Sequence, residues 1–338
     1  MKKLISLICV LAMVLALAAC GSSAPAAATE APAASTEAPA EDVSADKTFV
    51  VGICQLVQHP ALDAATQGFK DALTEALGDK VTFQEQNASG DSATCSLICN
   101  QFVSDEVDLI MANATASIQA AASATNTIPI LGTSITDYGV ALGVDNWTGV
   151  SGTNISGTSD LAPLDGQAAM IQELFPEAKT IGLLYCSGEP NSIFQADSME
   201  ALLTDMGYSV ERYTFADSND VSSVTANACS NSDVLYIPTD NTAASCTEAI
   251  NNVALSAGIP IVAGEEGLAS GCGVATLSIS YYDLGRATGE MAAEILTEGA
   301  DISTMEVRFA PAFTKEYNAD ICEALNITVP EDYVAIAK

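Results

Sequence analysis

The sequence predicts an α/β fold made of two doubly wound parallel-sheet lobes joined by a three-segment hinge. Three observations carry this expectation. From about residue 47 onward, short β-branched runs alternate with helical patterns, the rhythm of βαβ units around a parallel sheet. The rhythm restarts near residue 180: Asp108-Leu109-Ile110 is matched by Asp233-Val234-Leu235, and Ile128-Pro129-Ile130 by Ile259-Pro260-Ile261 131 residues later. Elements are left over once both halves are complete, so the chain is expected to cross back to the first lobe and again to the second.

In order, the first half has strand candidates at residues 49–54, 81–83, 109–112 and 128–133. Between the first two lies a helix over residues 60–77. Pro60 sits in its opening turn, Leu62, Ala65, Phe69, Leu73 and Leu77 share a side, and Gly78 follows its end. The glycine-rich stretch 149–157 is expected to be the first crossing between lobes. The second half has strand candidates at 180–185, 208–213, 234–237 and 260–263. A strand at 274–277, a helix over 282–296, a strand at 307–309 and a helix over 315–325 complete the chain. The expected division is therefore lobe 1 over 47–155, lobe 2 over 156–278, a return to lobe 1 over 279–311 and a return to lobe 2 over 312–338. The folded part, about 290 residues, is of a size that suits one large α/β unit or two lobes.

Ahead of the lobes, Lys2 and Lys3 precede an apolar run over residues 4–19 that ends in Leu17-Ala18-Ala19-Cys20. A positive start, an apolar centre and small residues before a cut site make a secretory signal over residues 1–19. The cysteine directly after the small residues resembles the lipobox of bacterial lipoproteins. That resemblance implies a lipid on the Cys20 thiol and an anchor on the outer face of the cell membrane. Residues 21–46 are almost entirely Ala, Pro, Ser, Thr and Glu. Too little apolar surface is available there to offset ordering entropy, so 20–46 is expected to be the lipidated cysteine and a disordered linker.

The net charge of −32 becomes −34 when residues 1–19, with two lysines and no acids, are removed. Such a chain repels phosphate backbones, so nucleic-acid binding is not expected. The even number of cysteines, Cys54, Cys95, Cys99, Cys186, Cys229, Cys246, Cys272 and Cys322, would suggest disulfides in an exported protein, but several occupy apolar positions and mostly free, buried thiols are expected. With His59 the only histidine and no paired CxxC spacing, neither a metal nor a cofactor is expected. No GxSxG, HExxH, P-loop or GxGxxG follows a strand, and an enzyme is not expected.

In open parallel sheets ligands bind beyond the carboxyl ends of the strands. In the first lobe this rule selects Gln55, Gln58, His59, Asn113, Thr115, Thr133, Ser134 and Thr136. In the second it selects Ser187, Glu189, Asn191, Ser192, Asp240, Asn241, Thr242, Glu265 and Glu266. Facing rims of hydroxyls, amides and carboxylates suit a small zwitterion, with an aspartate for its ammonium group. Ser, Thr, Asn and Asp at these junctions also serve as helix caps whatever the function. Tyr138, Tyr185 and Phe194 are the candidates for a flat apolar wall.

The run from Val51 to Asp63, VGICQLVQHPALD, and the later phrases Asn113-Ala114-Thr115, Asn154-Ile155-Ser156-Gly157-Thr158-Ser159-Asp160, Gly264-Glu265-Glu266 and Tyr281-Tyr282-Asp283-Leu284-Gly285-Arg286 occur in order. Together they resemble the ABC-transporter substrate-binding lipoprotein family that includes tryptophan and other aromatic amino-acid receptors. The resemblance runs from about Lys47 to the C-terminus. It implies a type I periplasmic-binding fold, capture of a small ligand, and delivery by a monomer to an ABC permease with its ATPase. Carried to matching positions, the ligand contacts are Gln55, Thr115, Ser134, Ser187, Asn191 and Asp240. The chain departs from the family pattern in the longer 149–157 stretch, in Cys54, Cys95 and Cys99, and in lacking a proline after Thr115. An aromatic amino acid is the expected ligand. A sugar, nucleoside or peptide on the same fold, or a surface enzyme or adhesin, are the alternatives.

Overall fold

The computed structural model describes residues 47–337. The expected signal segment, Cys20 and the 20–46 linker lie outside the described residues. From there the chain alternates strand and helix as expected. The first half runs β1 (Phe49–Gln55), α1 (Pro60–Leu77), β2 (Val81–Asn87), α2 (Ser92–Ser104), β3 (Leu109–Asn113), α3 (Thr115–Ala124), β4 (Ile130–Ile135), α4 (Tyr138–Leu142) and β5 (Ile155–Ser159). The second half runs α5 (Leu164–Leu174), β6 (Thr180–Cys186), α6 (Pro190–Asp205), β7 (Ser209–Phe215), α7 (Val221–Asn231), β8 (Val234–Ile237), α8 (Asn241–Ala244), α9 (Thr247–Ala257), β9 (Ile261–Ala263), α10 (Glu266–Gly271) and β10 (Ala275–Ser278). Then come α11 (Tyr281–Glu298), β11 (Arg308–Phe309), β12 (Thr314–Tyr317), α12 (Ala319–Leu325) and β13 (Val334–Ala335).

The strands form two sheets, ordered β11-β5-β4-β3-β1-β2 and β13-β12-β10-β9-β8-β6-β7. All neighbours are parallel except β10 and β12. Each sheet reverses its strand order at an equivalent place, between β1 and β3 and between β6 and β8, which puts a topological switch point in each lobe. The matched phrases in the sequence have matching jobs. The Asp108 carboxylate accepts from Val50 N at the start of β1, and Asp233 accepts from Lys179 N and Thr180 N at the start of β6.

Alternate strand residues feed opposite cores, the period of two that a sheet covered on both faces requires. Val51, Ile53, Leu109 and Met111 pack with Phe69, Leu73 and Met291 from α1 and α11. Cys54, Ile110 and Ala112 face Ile98, Phe102 and Ile118 from α2 and α3. In the second lobe Leu183, Val234 and Tyr236 meet Met170 and Met199, while Leu184, Leu235 and Ile237 meet Val221 and Ile250. Each fully buried Phe, Leu or Ile side chain contributes on the order of 1.5–3 kcal/mol.

The phrase from Tyr281 to Arg286 opens α11 and fastens it to α1. A Cβ at Gly285 would meet the Ala65 carbonyl oxygen at 2.0 Å, and one at Gly68 would meet the Tyr282 carbonyl oxygen at 2.0 Å. The two helices therefore touch backbone to backbone. The Tyr282 hydroxyl donates to Asp71, and Arg286 pairs with Glu75 at 2.6 Å.

Three expectations are corrected. The 149–157 stretch is not the crossing, because β5 pairs with β4 in the first sheet; the chain passes to the second lobe only after Ser159, not between 155 and 156. The expected helix over 315–325 begins as β12, antiparallel to β10, and turns helical only at Ala319, where Asn318 caps α12 through Asp320 N and Ile321 N. Tyr138 and Tyr185 are core residues. Tyr138 stacks on Trp147 and donates to Gly132 O and Thr158 O, while Tyr185 packs in the second-lobe core beside Arg212.

Among the described residues no helix is long and apolar enough to cross a membrane. All eight described cysteines are free thiols; seven are buried and Cys246 is half-buried.

Candidate functional site

The carboxyl ends of β1, β3 and β4 face those of β6, β8 and β9 across a seam between the lobes. The lobes meet there: α4 packs on α6 and α1 on α10. Inside the seam lies a narrow, nearly filled cavity of about 10 Å³ lined by His59, Leu62, Ser134, Thr136, Asp160, Asn191, Thr239, Asp240, Asn241, Ala244, Glu265 and Tyr281. Its lining is mostly polar, and nearly all of it is buried.

Backbone geometry brings these side chains together. Ala114 (φ 89°) directly follows β3 and Ser134 (φ 56°) lies near the end of β4, two non-glycine residues at positive φ. Each costs of order 1–3 kcal/mol, strain that collects at binding sites. Pro60 starts α1 directly after His59, whose imidazole lies in the seam with its Nε2 3.3 Å from Asn241 Oδ1 of the other lobe.

Of the six residues assigned as ligand contacts, Ser134, Asn191 and Asp240 line the cavity, and Gln55, Thr115 and Ser187 do not. Gln55 is fully engaged inside its own lobe. Its amide nitrogen donates to Val57 O and to Asp63 at 2.6 Å, and its oxygen accepts from Thr66. Thr115 opens α3, and the Ser187 hydroxyl donates to Phe215 O. Phe194, on α6, is also outside the lining.

The acids separate by what their oxygens do. Both oxygens of Asp240 accept backbone N–H groups, Cys186 N at 2.6 Å and Ala243 N at 2.7 Å. Glu265 caps α10 through Gly267 N and Leu268 N. Burial raises both carboxyls, Glu265 to about 7; for Asp240 the neighbouring Glu189 charge adds to the rise. Asp160, just past β5, is different. Its Oδ2 accepts from the Tyr281 hydroxyl at 2.9 Å, while Oδ1 makes no hydrogen bond of normal geometry. Burial lifts its pKa to about 6, opposed by the Tyr281 and Thr136 hydroxyls.

Asp160 Oδ1 is one of six buried side-chain atoms without a hydrogen-bond partner among the described residues. His59 Nδ1 and Ser134 Oγ are two more, so three of the six sit on residues lining this one cavity. Buried polar groups are seldom left unpaired, and such a concentration marks where a polar ligand docks. Asp160 was not selected from the strand-end rule, because β5 has no apolar run to identify it as a strand. No group of three or more His, Cys, Asp or Glu is placed to hold a metal among the described residues.

The sequence pattern of the family described as ABC transporter substrate binding protein matches residues 50–338. A tyrosine-binding protein of Clostridioides difficile (strain R20291) is 38% identical over 280 residues, 82% of this chain and 81% of its own. A domain from Streptococcus pneumonia, solved in complex with L-Trp, is 32% identical, with a TM-score of 0.80 over 84% of this chain and 97% of that one. The ligand-free, open structure of a substrate-binding protein with adhesive properties from Clostridium difficile is 37% identical but has a TM-score of only 0.66, over 86% of this chain and 100% of that one. In this chain the lobes touch across the seam, His59 Nε2 lying 3.3 Å from Asn241 Oδ1. The chain belongs to the family of ABC transporter substrate-binding proteins, with the type I periplasmic-binding fold.

Proposed function

We propose that this substrate-binding protein captures an aromatic amino acid as its zwitterion and serves as the lipid-anchored, extracytoplasmic receptor of an importer. The observation that carries the ligand class is Asp160. It is a carboxylate buried between the lobes with one oxygen unpaired, and an ammonium group answers both its charge and its geometry. The Ser134 hydroxyl, strained into the cavity's edge, is the donor for the ligand carboxylate. Leu62, Ala244 and Tyr281 supply apolar wall. Asn191 and Asp240 shape the second-lobe side of the pocket, Asp240 as the cap of α8. Gln55, Thr115 and Ser187 support it from behind.

Two relatives favour an aromatic side chain, one named for tyrosine and one solved with L-Trp. The same reading makes the protein a binder without catalysis, held at the membrane by a lipid on Cys20. A permease with its ATPase receives the closed monomer.

Titration calorimetry and thermal shift against the twenty amino acids, with sugars and nucleosides alongside, test it. Micromolar or tighter binding of an aromatic amino acid, with a matching rise in melting temperature, is expected. Silence across all twenty at millimolar concentration would refute the ligand class.

A further inference from the structure

We propose that His59 is a specificity-determining residue that accepts a hydrogen bond from the side chain of the bound amino acid, so that the pocket selects a phenol or an indole over a plain phenyl ring. The inference rests on the amino-acid reading above. It begins on the opposite lobe. Glu189 receives five donors: Thr242 N and Oγ1 at Oε1, and Asn241 N, Asn241 Nδ2 and Asn191 Nδ2 at Oε2. The 2.7 Å bond from Asn241 Nδ2 fixes that amide with its nitrogen toward the carboxylate. Its oxygen is therefore the atom presented to His59 Nε2.

An amide oxygen only accepts, so the imidazole proton must sit on Nε2. A neutral ring carries one proton, and burial of His59 (7% exposed) disfavours a second. Nδ1 is then a bare lone pair, buried and without a partner, on a ring that lines the cavity. Only a donor can satisfy it.

A zwitterionic ligand has one donor group at its backbone, the ammonium. The unpaired Asp160 oxygen, a charged acceptor, holds that group more strongly than a neutral imidazole does. Ser134, which donates or accepts, takes the carboxylate. The ammonium has three N–H donors and could serve a second acceptor, but in this assignment it goes to Asp160 and His59 takes the donor on the side chain, the hydroxyl of a phenol or the N–H of an indole. His59 belongs to the first lobe, whereas Asn241 and Glu189 belong to the second, so the acceptor state is imposed only when the lobes close. The side chain is read at closure, not at first encounter. Glu189 and Asn241 are positioning residues in this scheme, since they act through the ring.

A site that buries an acceptor for a ligand donor rejects the analogue lacking it, because the acceptor is left unpaired. Phenylalanine is therefore expected to bind roughly 10- to 100-fold more weakly than the better of tyrosine and tryptophan. Two measurements on the unaltered protein test this. Calorimetric titration compares L-tyrosine, L-tryptophan and L-phenylalanine. Nitrogen-15 NMR reads the tautomer of the chain's single histidine with the tightest of the three bound; a proton on Nε2 and none on Nδ1 is expected. His59→Leu then gives a further readout: the preference over phenylalanine should collapse toward parity. Equal binding of the three ligands, a proton on Nδ1, or an unchanged preference in His59→Leu would each overturn the assignment. If no amino acid binds at all, the ligand class fails first and this inference with it, an outcome distinct from equal binding of all three.

Discussion

Replacing Asp160 by asparagine should make the ligand-free protein more stable while destroying ligand capture. Burial raises the Asp160 pKa from 3.8 to about 6, so keeping this carboxylate ionised costs the folded protein free energy. At about 1.36 kcal/mol per pH unit the cost reaches about 3 kcal/mol above pH 6. The sign follows from the direction of the shift. A folded-state pKa above the unfolded one favours the protonated, folded form, so this group supports stability fully below pH 4. That support is lost as pH rises through 6. Asparagine carries no charge and keeps an oxygen for the Tyr281 hydroxyl, which now donates to Asp160 Oδ2 at 2.9 Å. At roughly 2 °C per kcal/mol for a chain of this size, melting near pH 7.5 should rise by about 5 °C. The pH dependence between 4 and 6 should flatten in the variant. Loss of the ammonium's buried partner should weaken amino-acid binding at least about 100-fold. Differential scanning fluorimetry from pH 4 to 8, paired with calorimetry, reads both effects. A variant that melts lower at pH 7.5, or that binds like the parent, would refute the reasoning.

Other consequences follow from packing and burial. Gly285→Ala forces a Cβ onto the Ala65 carbonyl and must part α11 from α1, costing about 1–3 kcal/mol; an unchanged melting temperature would contradict the backbone contact. Tyr138→Phe leaves the Gly132 and Thr158 carbonyls without their 3.1 Å donor, so urea unfolding should show a loss of about 1–3 kcal/mol. Because Tyr138 is absent from the cavity wall, ligand affinity in that variant should stay within about twofold of the parent, as for sites that share no partner. Of the eight cysteines in residues 47–337, native maleimide labelling followed by mass spectrometry should modify Cys246 first. The seven buried thiols should react only on unfolding, and rapid native labelling of Cys54 or Cys99 would contradict the packed cores.

The alternation of strands and helices was legible because both faces of each sheet are covered, which leaves dense apolar runs such as those of β1, β3 and β8. β5 was not legible. Ile155-Ser156-Gly157-Thr158-Ser159 is a strand of hydroxyls whose polar atoms are satisfied by tertiary partners, Ser156 by Met305 O and Thr158 by Thr288. Gly157, at φ 142°, lies so close to β4 that a Cβ would meet Gly132 O at 2.0 Å. Nothing local announces either fact. β12 was hidden for a similar reason. Residues 314–317 take strand geometry from pairing with β10, and Lys315 is drawn to Glu173 and Asp332, partners far away in sequence.

The site was half legible. The strand-end rule selected His59, Ser134, Thr136, Asn191, Asp240, Asn241 and Glu265, all of which line the cavity. It could not rank them, since a cap and a ligand contact call for the same residue types. Only coordinates distinguish Asp240, with both oxygens on backbone N–H groups, from Asp160, with one oxygen to spare. Asp160 was missed because its strand was missed.

The central claim is that an amino acid lies between the closed lobes with its ammonium group on Asp160. A crystal structure of the protein grown with L-tyrosine or L-tryptophan tests it most directly. The account predicts the ammonium nitrogen within about 3 Å of Asp160 Oδ1, the ordinary hydrogen-bond range, with the lobes closed as described. Electron density for the ligand outside the cavity, or an ammonium group seated on Asp240 or Glu265 with Asp160 Oδ1 still unpaired, would contradict it.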